Sequence, residues 1–408
     1  MAKKNPEVRF KGFTEDWKFE KLENLANFYK GQGYSKSDLT EKGAPIILYG
    51  RLYTKYEAII NEVDTYAIPK EGSVYSNGNE VIVPASGETP EDIVIASAVL
   101  KKNVILGGDL NIINPNDSIN SVFLALNISN GKVKKDLVKR AQGKSVVHIR
   151  NNDLKEVFLN FPDITEQGKI TSFFQNIDSL ITQHQKNHDK LVILKKAMLE
   201  KMFPKNGAVL PEIRFKGFTE NWVENKLSDI TNYDNGKGHE SQQGKSGKYE
   251  LINLNSISID GGLKPSGKFI NEADTTLKEN DLVMILSDVG HGDLLGRVAI
   301  IPENNKYVLN QRVALLRPES NINSRFLLYN INNNQNYFKK QGAGMSQLNL
   351  SKSSVEDFLF SIPSIDEQQK IGDYFRNLDN QIDLHKTQLD KLKNIKKACL
   401  SKMFVAQE

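Results

Sequence analysis

Tyr29 to Lys36, Arg140 to Ser145, Gly236 to Lys248 and Lys339 to Gly342 each combine glycine with Lys, Arg, Gln, Asn or Ser. Lys, Ser and backbone N–H groups suit phosphates, whereas Gln, Asn and Arg match the donor and acceptor pattern of base edges. The residues expected to touch nucleic acid are Lys30, Gln32, Tyr34, Lys36, Gln142, Lys144 and Ser145 in the first half of the chain, and Lys237, His239, Lys245, Ser246, Lys248, Lys340 and Gln341 in the second. Arg51, His148, Arg312, Ser346 and Gln347 complete the set. Loops of this composition are common on protein surfaces, so residue types alone leave open a choice between DNA binding and an ordinary solvated face.

Covalent and metal chemistry find little support. Gly238 to Gly244-Lys245-Ser246 holds one residue too many for a Walker A loop, and Gly143-Lys144-Ser145 has no glycine at the required upstream position. Gly342-Ala343-Gly344 is too short for a dinucleotide or S-adenosylmethionine loop, and no Asn-Pro-Pro-Tyr or Asp-Pro-Pro-Tyr sequence occurs. Asp163, Glu166 and Lys169 could suggest a metal nuclease, but the matching stretch later in the chain has Ser364 in place of Asp163, which favours helix capping. The six histidines show no metal-ligand spacing outside a helix. His148 corresponds to Asn349 and His239 to Tyr34; histidine and asparagine share hydrogen-bonding ability rather than acid-base chemistry, which suits a polar reading surface. Cys399 is the only cysteine, so neither an intrachain disulfide nor a Cys-rich zinc module is expected, and a reducing cytoplasm fits. No metal or cofactor is expected on this chain.

The elements that carry these loops are written twice. Pro6-Glu7-Val8-Arg9-Phe10-Lys11-Gly12-Phe13-Thr14-Glu15-Asp16-Trp17 recurs as Pro211-Glu212-Ile213-Arg214-Phe215-Lys216-Gly217-Phe218-Thr219-Glu220-Asn221-Trp222. A second block, Phe161 to Phe203, recurs from Ile362 to Phe404 and includes Glu166-Gln167/Glu367-Gln368 and Lys201-Met202-Phe203/Lys402-Met403-Phe404. Between them lie variable stretches that share only scattered features, such as Gly31-Gln32-Gly33 with Gly236-Lys237-Gly238 and Gly143-Lys144-Ser145 with Gly344-Met345-Ser346. A framework kept alike with divergent inserts points to one shared job and two related, distinct ones. In the variable stretches, Val81 to Val83, Ile93 to Ile95, Asn111 to Ile113, Leu282 to Leu286, Arg297 to Ile301 and Arg312 to Leu316 read as strands, with short helices at Ser121 to Asn127 and Ser324 to Asn332.

The copied blocks are helical. Ile170, Phe174, Ile177, Ile181, His184, His188, Leu191, Lys195 and Met198 step by four and three, as do Ile371, Phe375, Leu378, Ile382, His385, Leu389, Leu392, Lys396 and Cys399. Ser364 to Glu367 has the spacing of a capping box and Asp163 to Glu166 is a close variant. Helices of about 38 residues, roughly 57 Å, need a partner along their length. Chain order and the acidic-early, basic-late charge bias of each predict an antiparallel pair. His184 and His385 are expected to meet midway, where a paired polar side chain can fix register; two partly exposed histidines without a special role are a second reading, and a metal site, which would need two more ligands, a third.

Composition sets the outer bounds. With 408 residues, 39% hydrophobic and 25% charged, the chain is long enough for two or more cores. Its net charge of +4 is too small to decide on a polyanionic partner. No stretch reaches the roughly 18 uninterrupted apolar residues of a membrane span.

The sequence resembles the specificity subunits of type I restriction-modification enzymes along essentially its whole length. The resemblance rests on Gly344-Met345-Ser346-Gln347-Leu348-Asn349-Leu350, Phe360-Ser361-Ile362-Pro363, Glu367-Gln368-Gln369-Lys370-Ile371, the terminal Lys391-Leu392-Lys393 to Met403-Phe404, and the opening Pro-Glu-x-Arg-Phe-x-Gly-Phe-x-x-x-Trp. The first copy departs from it, with Val147, His148 and Ile149 in place of Leu348, Asn349 and Leu350. The resemblance implies an α/β (α+β) fold: target recognition domains of mixed, β-rich fold at residues 1–160 and 205–361, separated by long antiparallel coiled-coil helices at 161–204 and 362–408 about a pseudo-two-fold axis. It further implies that each domain reads one half of a split site in double-stranded DNA while the helix pair sets the spacer. The chain would itself be non-catalytic. Two modification (methyltransferase) subunits would carry S-adenosylmethionine and methylate adenine, and restriction (motor-endonuclease) subunits would use ATP and Mg, in the cytoplasm and away from membranes. A two-headed protein-binding adaptor is the competing reading, and an enzyme with an unfamiliar site a further one.

Overall fold

The structure, a computed structural model, describes residues 5–143, 145–205, 208–289, 292–344 and 347–405. The chain forms two units, residues 1–184 with 388–408 and residues 185–387. The long helices are Ile164–Met202 and Ile365–Lys402. Each unit therefore holds one variable region, the N-terminal half of the helix that follows it, and the C-terminal half of the other copy's helix.

In the first unit a five-stranded sheet runs in the order Ala26–Lys30, Leu110–Pro115, Glu80–Pro84, Ser97–Val99, Ile59–Ile60. Val81, Ile82 and Val83 are fully buried because the sheet is covered on both faces, so their β-branched run needs no alternation. One cover is helix Ser121–Ile128, every residue of which is buried. Its start is fixed by Asn120, whose side chain accepts from the N–H groups of Val122 and Phe123 at 2.9 and 3.1 Å. A smaller sheet, Ile105–Leu106, Ala44–Ile47, Tyr66–Ala67 and Leu39–Thr40, stands beside it.

The second unit repeats the plan. Its sheet runs Thr231–Asn235, Val313–Pro318, Leu282–Ile285, Val298–Ile300, and helix Ser324–Asn333 is capped by the Asn323 side chain. A three-stranded sheet of Phe269–Ile270, Tyr249–Ile252 and Tyr307–Leu309 accompanies it.

The copied motifs are the clamps of this framework. Trp17 lies 5.8 Å from Phe123, ring centre to ring centre, and Trp222 lies 5.8 Å from Phe326. Arg9 Nε and Nη2 donate to the two oxygens of Glu166 at 2.9 and 2.7 Å, and Arg214 binds Glu367 in the same bidentate way at 2.9 and 2.6 Å. The neighbouring Gln167 side chain accepts from Asn120 N–H at 2.9 Å and donates to the carbonyls of Pro162 and Ser118. Gln368 does the same for Asn323, Pro363 and Asn321. The Glu-Gln pair thus locks each long helix to the start of the short buried one.

The helices run antiparallel within each unit. Lys396 binds Asp178 at 2.5 Å in the first, and Lys195 binds Asp379 at 2.5 Å in the second, equivalent positions in the two copies. The acidic early half of one helix meets the basic late half of the other, as the charge bias predicts. His184 and His385 are both half-buried midway along their helices.

Two sequence expectations are corrected. Ile93 to Ile95 is not a strand: Pro90–Ile93 forms a helical turn because the Thr89 side chain accepts from Asp92 N–H and Pro90 stands at the first helical position, which overrides the β-branched run. The capping box fails at its acidic end. Asp163 does cap, accepting from Thr165 and Glu166 N–H at 2.8 and 3.1 Å, but Glu166 and Glu367 give their carboxylates to the arginines instead of reaching back.

Candidate nucleic-acid interface

In the first unit the sheet has two distinct ends. At one, Pro115 pairs with Ala26, and the chain turns into Asn116 to Asn120, where the long helix is locked. At the other, Lys30 pairs with Asn111 and Pro84 with Leu110. Most of the expected recognition loops leave from this second end. Gly31 N–H donates to Leu110 O and Gln32 N–H to Leu106 O, both at 3.1 Å. Gln142 and His148 exchange backbone hydrogen bonds at 3.1 and 2.8 Å, and the hairpin they close pairs His148 with Ser86 and Val147 with Gly87. Ile149 N–H donates to Ala85 O at 3.1 Å, and the Asn151 side chain to Tyr29 O at 2.7 Å.

The second unit has the same construction with other residues. Lys237 bridges to Asn310, Gly236 N–H donates to Val313 O at 3.0 Å, and Ala343 and Asn349 exchange backbone bonds at 3.0 and 2.9 Å. That hairpin pairs Asn349 with Ser287 and Gln347 with Val289. His148 and Asn349 thus occupy the same place in the two units, each opposite a serine.

The glycines shared by the two copies have one physical reason apiece. A Cβ on Gly31 would stand 1.7 Å from Gly107 O, and one on Gly236 would stand 1.8 Å from Asn310 O. Gly143 and Gly344 have φ of +139° and +136°, and a Cβ would meet Val146 O at 1.9 Å and Gln347 O at 2.0 Å. These glycines shape the loops and leave the contacts to neighbours. Gly344→Ala is expected to open the Ala343–Asn349 pairing at a local cost of about 1–3 kcal/mol. Hydrogen exchange at the Asn349 amide measures it, and unchanged protection would sink the argument.

The expected contact residues divide on inspection. Lys30, Lys36, Gln142, Ser145, His148, Lys237, Arg312, Lys340 and Gln341 are exposed; Gln32, His239 and Gln347 are half-buried. Lys245, Ser246 and Lys248 are exposed on the stretch that bridges to Phe269, beside the three-stranded sheet rather than the hairpin. Among the described residues, Lys30, Lys36, Lys237, Lys245, Lys248, Arg312 and Lys340 make no ion pair with a carboxylate, and the Gln347 side-chain nitrogen has no hydrogen-bond partner. Such groups have donors to spare for a polyanion. Lys144 and Ser346 lie outside the described residues, as does His291.

Tyr34 and Arg51 are corrections. Tyr34 is buried in the small-sheet core, with its hydroxyl 2.5 Å from Ser73 Oγ and accepting from Lys70 N–H. Arg51 is nearly covered and donates to Asp64 and Glu57 at 2.5 and 2.7 Å, so it ties its own turn together. Sequence reasoning included Arg312 but missed Asp109, its counterpart at this sheet end, and Tyr53. Asp109 and Arg312 sit in matching left-handed positions, φ 60° and 66°, with their carbonyls accepting from Ala85 and Leu286. Tyr53 donates to Ser86 O at 2.7 Å, and burial, with the Asp109 charge adding to it, pushes its phenol well above the usual range, so it stays neutral. The signal for Asp109 is its match to Arg312, each standing just before a strand, Leu110–Pro115 and Val313–Pro318.

No group of three or more His, Cys, Asp and Glu among the described residues could hold a metal ion, and no described helix is long and apolar enough to cross a membrane.

Comparison with known proteins agrees with this geometry. The family described as "Type I restriction modification DNA specificity domain" matches residues 14–191 and 219–394. The chain is 20% identical to the type I restriction enzyme MjaVIII specificity subunit of Methanocaldococcus jannaschii, over 95% of this chain and 92% of that one. The crystal structure of the type I restriction-modification system S subunit from M. genitalium superposes with a TM-score of 0.65 at 18% identity, covering 99% and 100% of the two chains. A chain from a structural study of complex assembly and conformational transition of the type I R-M system superposes at 0.50, with 15% identity and coverage of 94% and 96%. Two matched segments, each a variable region with its following helix, place this chain in the type I restriction-modification DNA specificity domain family.

Proposed function

We propose that the chain is the sequence-reading subunit of a type I restriction-modification complex, with one DNA half-site read at the loop end of each sheet. The observation that carries this is the pairing of a copied framework with unlike loop ends: His148 stands where Asn349 stands, and Lys30, Lys36, Lys237, Arg312 and Lys340 are exposed and without acidic partners among the described residues. Polar side chains with different donor patterns at one structural address would discriminate different bases, while lysines bind backbone without regard to sequence. The long helices would set the gap between half-sites. On this reading the chain performs no catalysis and works in the cytoplasm. Two modification subunits holding S-adenosylmethionine would methylate adenine, and restriction subunits using ATP and Mg would cleave.

The test is a map of methylated adenines in cells producing this chain with a cognate modification subunit, before and after residues 23–160 are exchanged for another head. The expected result is a bipartite motif with a fixed gap, of which one half alone changes on exchange. Changes in both halves, or a motif that persists without the chain, would overturn the reading.

A further inference from the structure

A groove of about 700 Å³ opens in the first unit between helix Gly131–Arg140 and the two long helices. Ile181 and Leu400 line it together with Lys134, Lys135, Lys393 and Lys397. The Asp178–Lys396 ion pair also borders it, but among the described residues the other four lysines meet no carboxylate.

The second copy keeps the apolar residues and the ion pair of this arrangement and lacks its charge. Ile382 and Leu199 stand for Ile181 and Leu400, and Lys195–Asp379 is the equivalent ion pair. Counting back from the buried Leu137 and Phe338, Lys134 and Lys135 correspond to Gln335 and Asn336. Lys393 corresponds to Val192, Lys397 to Lys196, and Ser401 to Glu200. The basic excess is therefore a property of one copy on an otherwise shared framework.

We propose that this groove holds an acidic polypeptide segment, one per chain, that carries Asp or Glu around at least one apolar side chain. Charge complementarity selects an anionic partner, because four uncompensated lysines around one opening repel each other until something neutralises them. Shape and lining select a polypeptide. The volume suits side chains rather than a duplex, whose major groove alone is about 12 Å wide, and Ile181 and Leu400 offer nothing to phosphates but bury an apolar anchor. On helix Gly131–Arg140 the groove ends at Lys135, and the last five residues of the helix, about 7.5 Å, lie between it and the Gln142 hairpin, so none of the loop residues assigned to DNA lines the groove. The asymmetry fixes the count, since a surface present in both copies would take two identical partners. None of this rests on the DNA reading.

Fluorescence anisotropy of the full chain with a short fluorescein-labelled peptide alternating Glu and Leu tests the proposal. Expected is saturable binding of one peptide per chain, weakened about ten-fold or more by Lys134→Glu, Lys135→Glu, Lys393→Glu and Lys397→Glu together, and unchanged by Lys196→Glu at the counterpart position. If the four-fold reversal disturbs folding by circular dichroism, the corresponding Gln substitutions decide, with a smaller loss in the same direction. Absent saturation, two peptides per chain, or an equal loss from Lys196→Glu would each overturn it. So would a duplex of arbitrary sequence that displaces the peptide and is weakened by the same reversals, which would make a nucleic-acid backbone the occupant.

Discussion

Replacing Arg214 with Met is expected to destabilise the second unit by about 3–5 kcal/mol, the cost of leaving a buried carboxylate without its partner. The Glu367 side chain is 1% exposed and both its oxygens are bound by the guanidinium. Its place in the first turn of Ile365–Lys402 gives it some support from the helix macrodipole, worth less than the lost pair. The hydrogen bond to Glu367 also raises the Arg214 pKa above its already high value, so the arginine stays charged at any pH of interest. Because a chain of two units need not unfold in one step, local opening is the proper measure. Hydrogen exchange in Leu227–Ile230 and Ser324–Asn333 should accelerate by the corresponding factor in the Arg214→Met chain. The double replacement Arg214→Met with Glu367→Met should recover most of the loss, since exchanging both members of a buried pair for apolar groups is often neutral. A single variant no worse than the double would mean that the pair is ornamental. Arg9→Met should reproduce the effect in the first unit, through Glu166.

This pair also marks where the sequence stops being readable. The long helices are legible because their contacts recur every three or four residues, and the seam of Ile170, Phe174 and Ile177 or Ile371, Phe375 and Leu378 is buried as that period requires. Helices Ser121–Ile128 and Ser324–Asn333 are legible because an asparagine cap precedes an apolar run. Arg9 and Glu166 are both visible as copied letters, but they are 157 residues apart and no periodicity joins them. Among the expected contact residues, Tyr34 and Arg51 fit by chemical type and fail by burial. Tyr34 follows a glycine loop as a contact tyrosine would, yet the small sheet closes over it; Arg51 meets its acids, Glu57 and Asp64, only because the chain folds back after the turn. Ile93 shows the converse, where one threonine cap and one proline outweigh a β-branched run. What the repeat did supply was correspondence. His148 and Asn349 can be matched by letters before any strand is seen, and the strands then place both opposite a serine.

Phe404→Ala is expected to cost the first unit about 3–5 kcal/mol, because the ring is fully enclosed and the space it leaves has rigid walls. Phe404 is 1% exposed and lies 5.7 Å from Phe123 and 6.2 Å from Phe174, ring centre to ring centre. Around it the last described residues are bound into the first head: Val8 N–H donates to Lys402 O and Lys132 N–H to Val405 O, both at 3.0 Å. The first head is thus closed by residues 402–405, the last residue of the second long helix and the three that follow it, a consequence of antiparallel helices that exchange their C-terminal halves. Phe203 has the same task in the second unit, 5.5 Å from Phe326 and 5.9 Å from Phe375. Hydrogen exchange should therefore show faster opening of Ser121–Ile128 in Phe404→Ala with Ser324–Asn333 unchanged, and the reverse in Phe203→Ala. If either substitution loosened both short helices equally, the halves would not be energetically separate, and the exchange of helix ends would not be what completes each core.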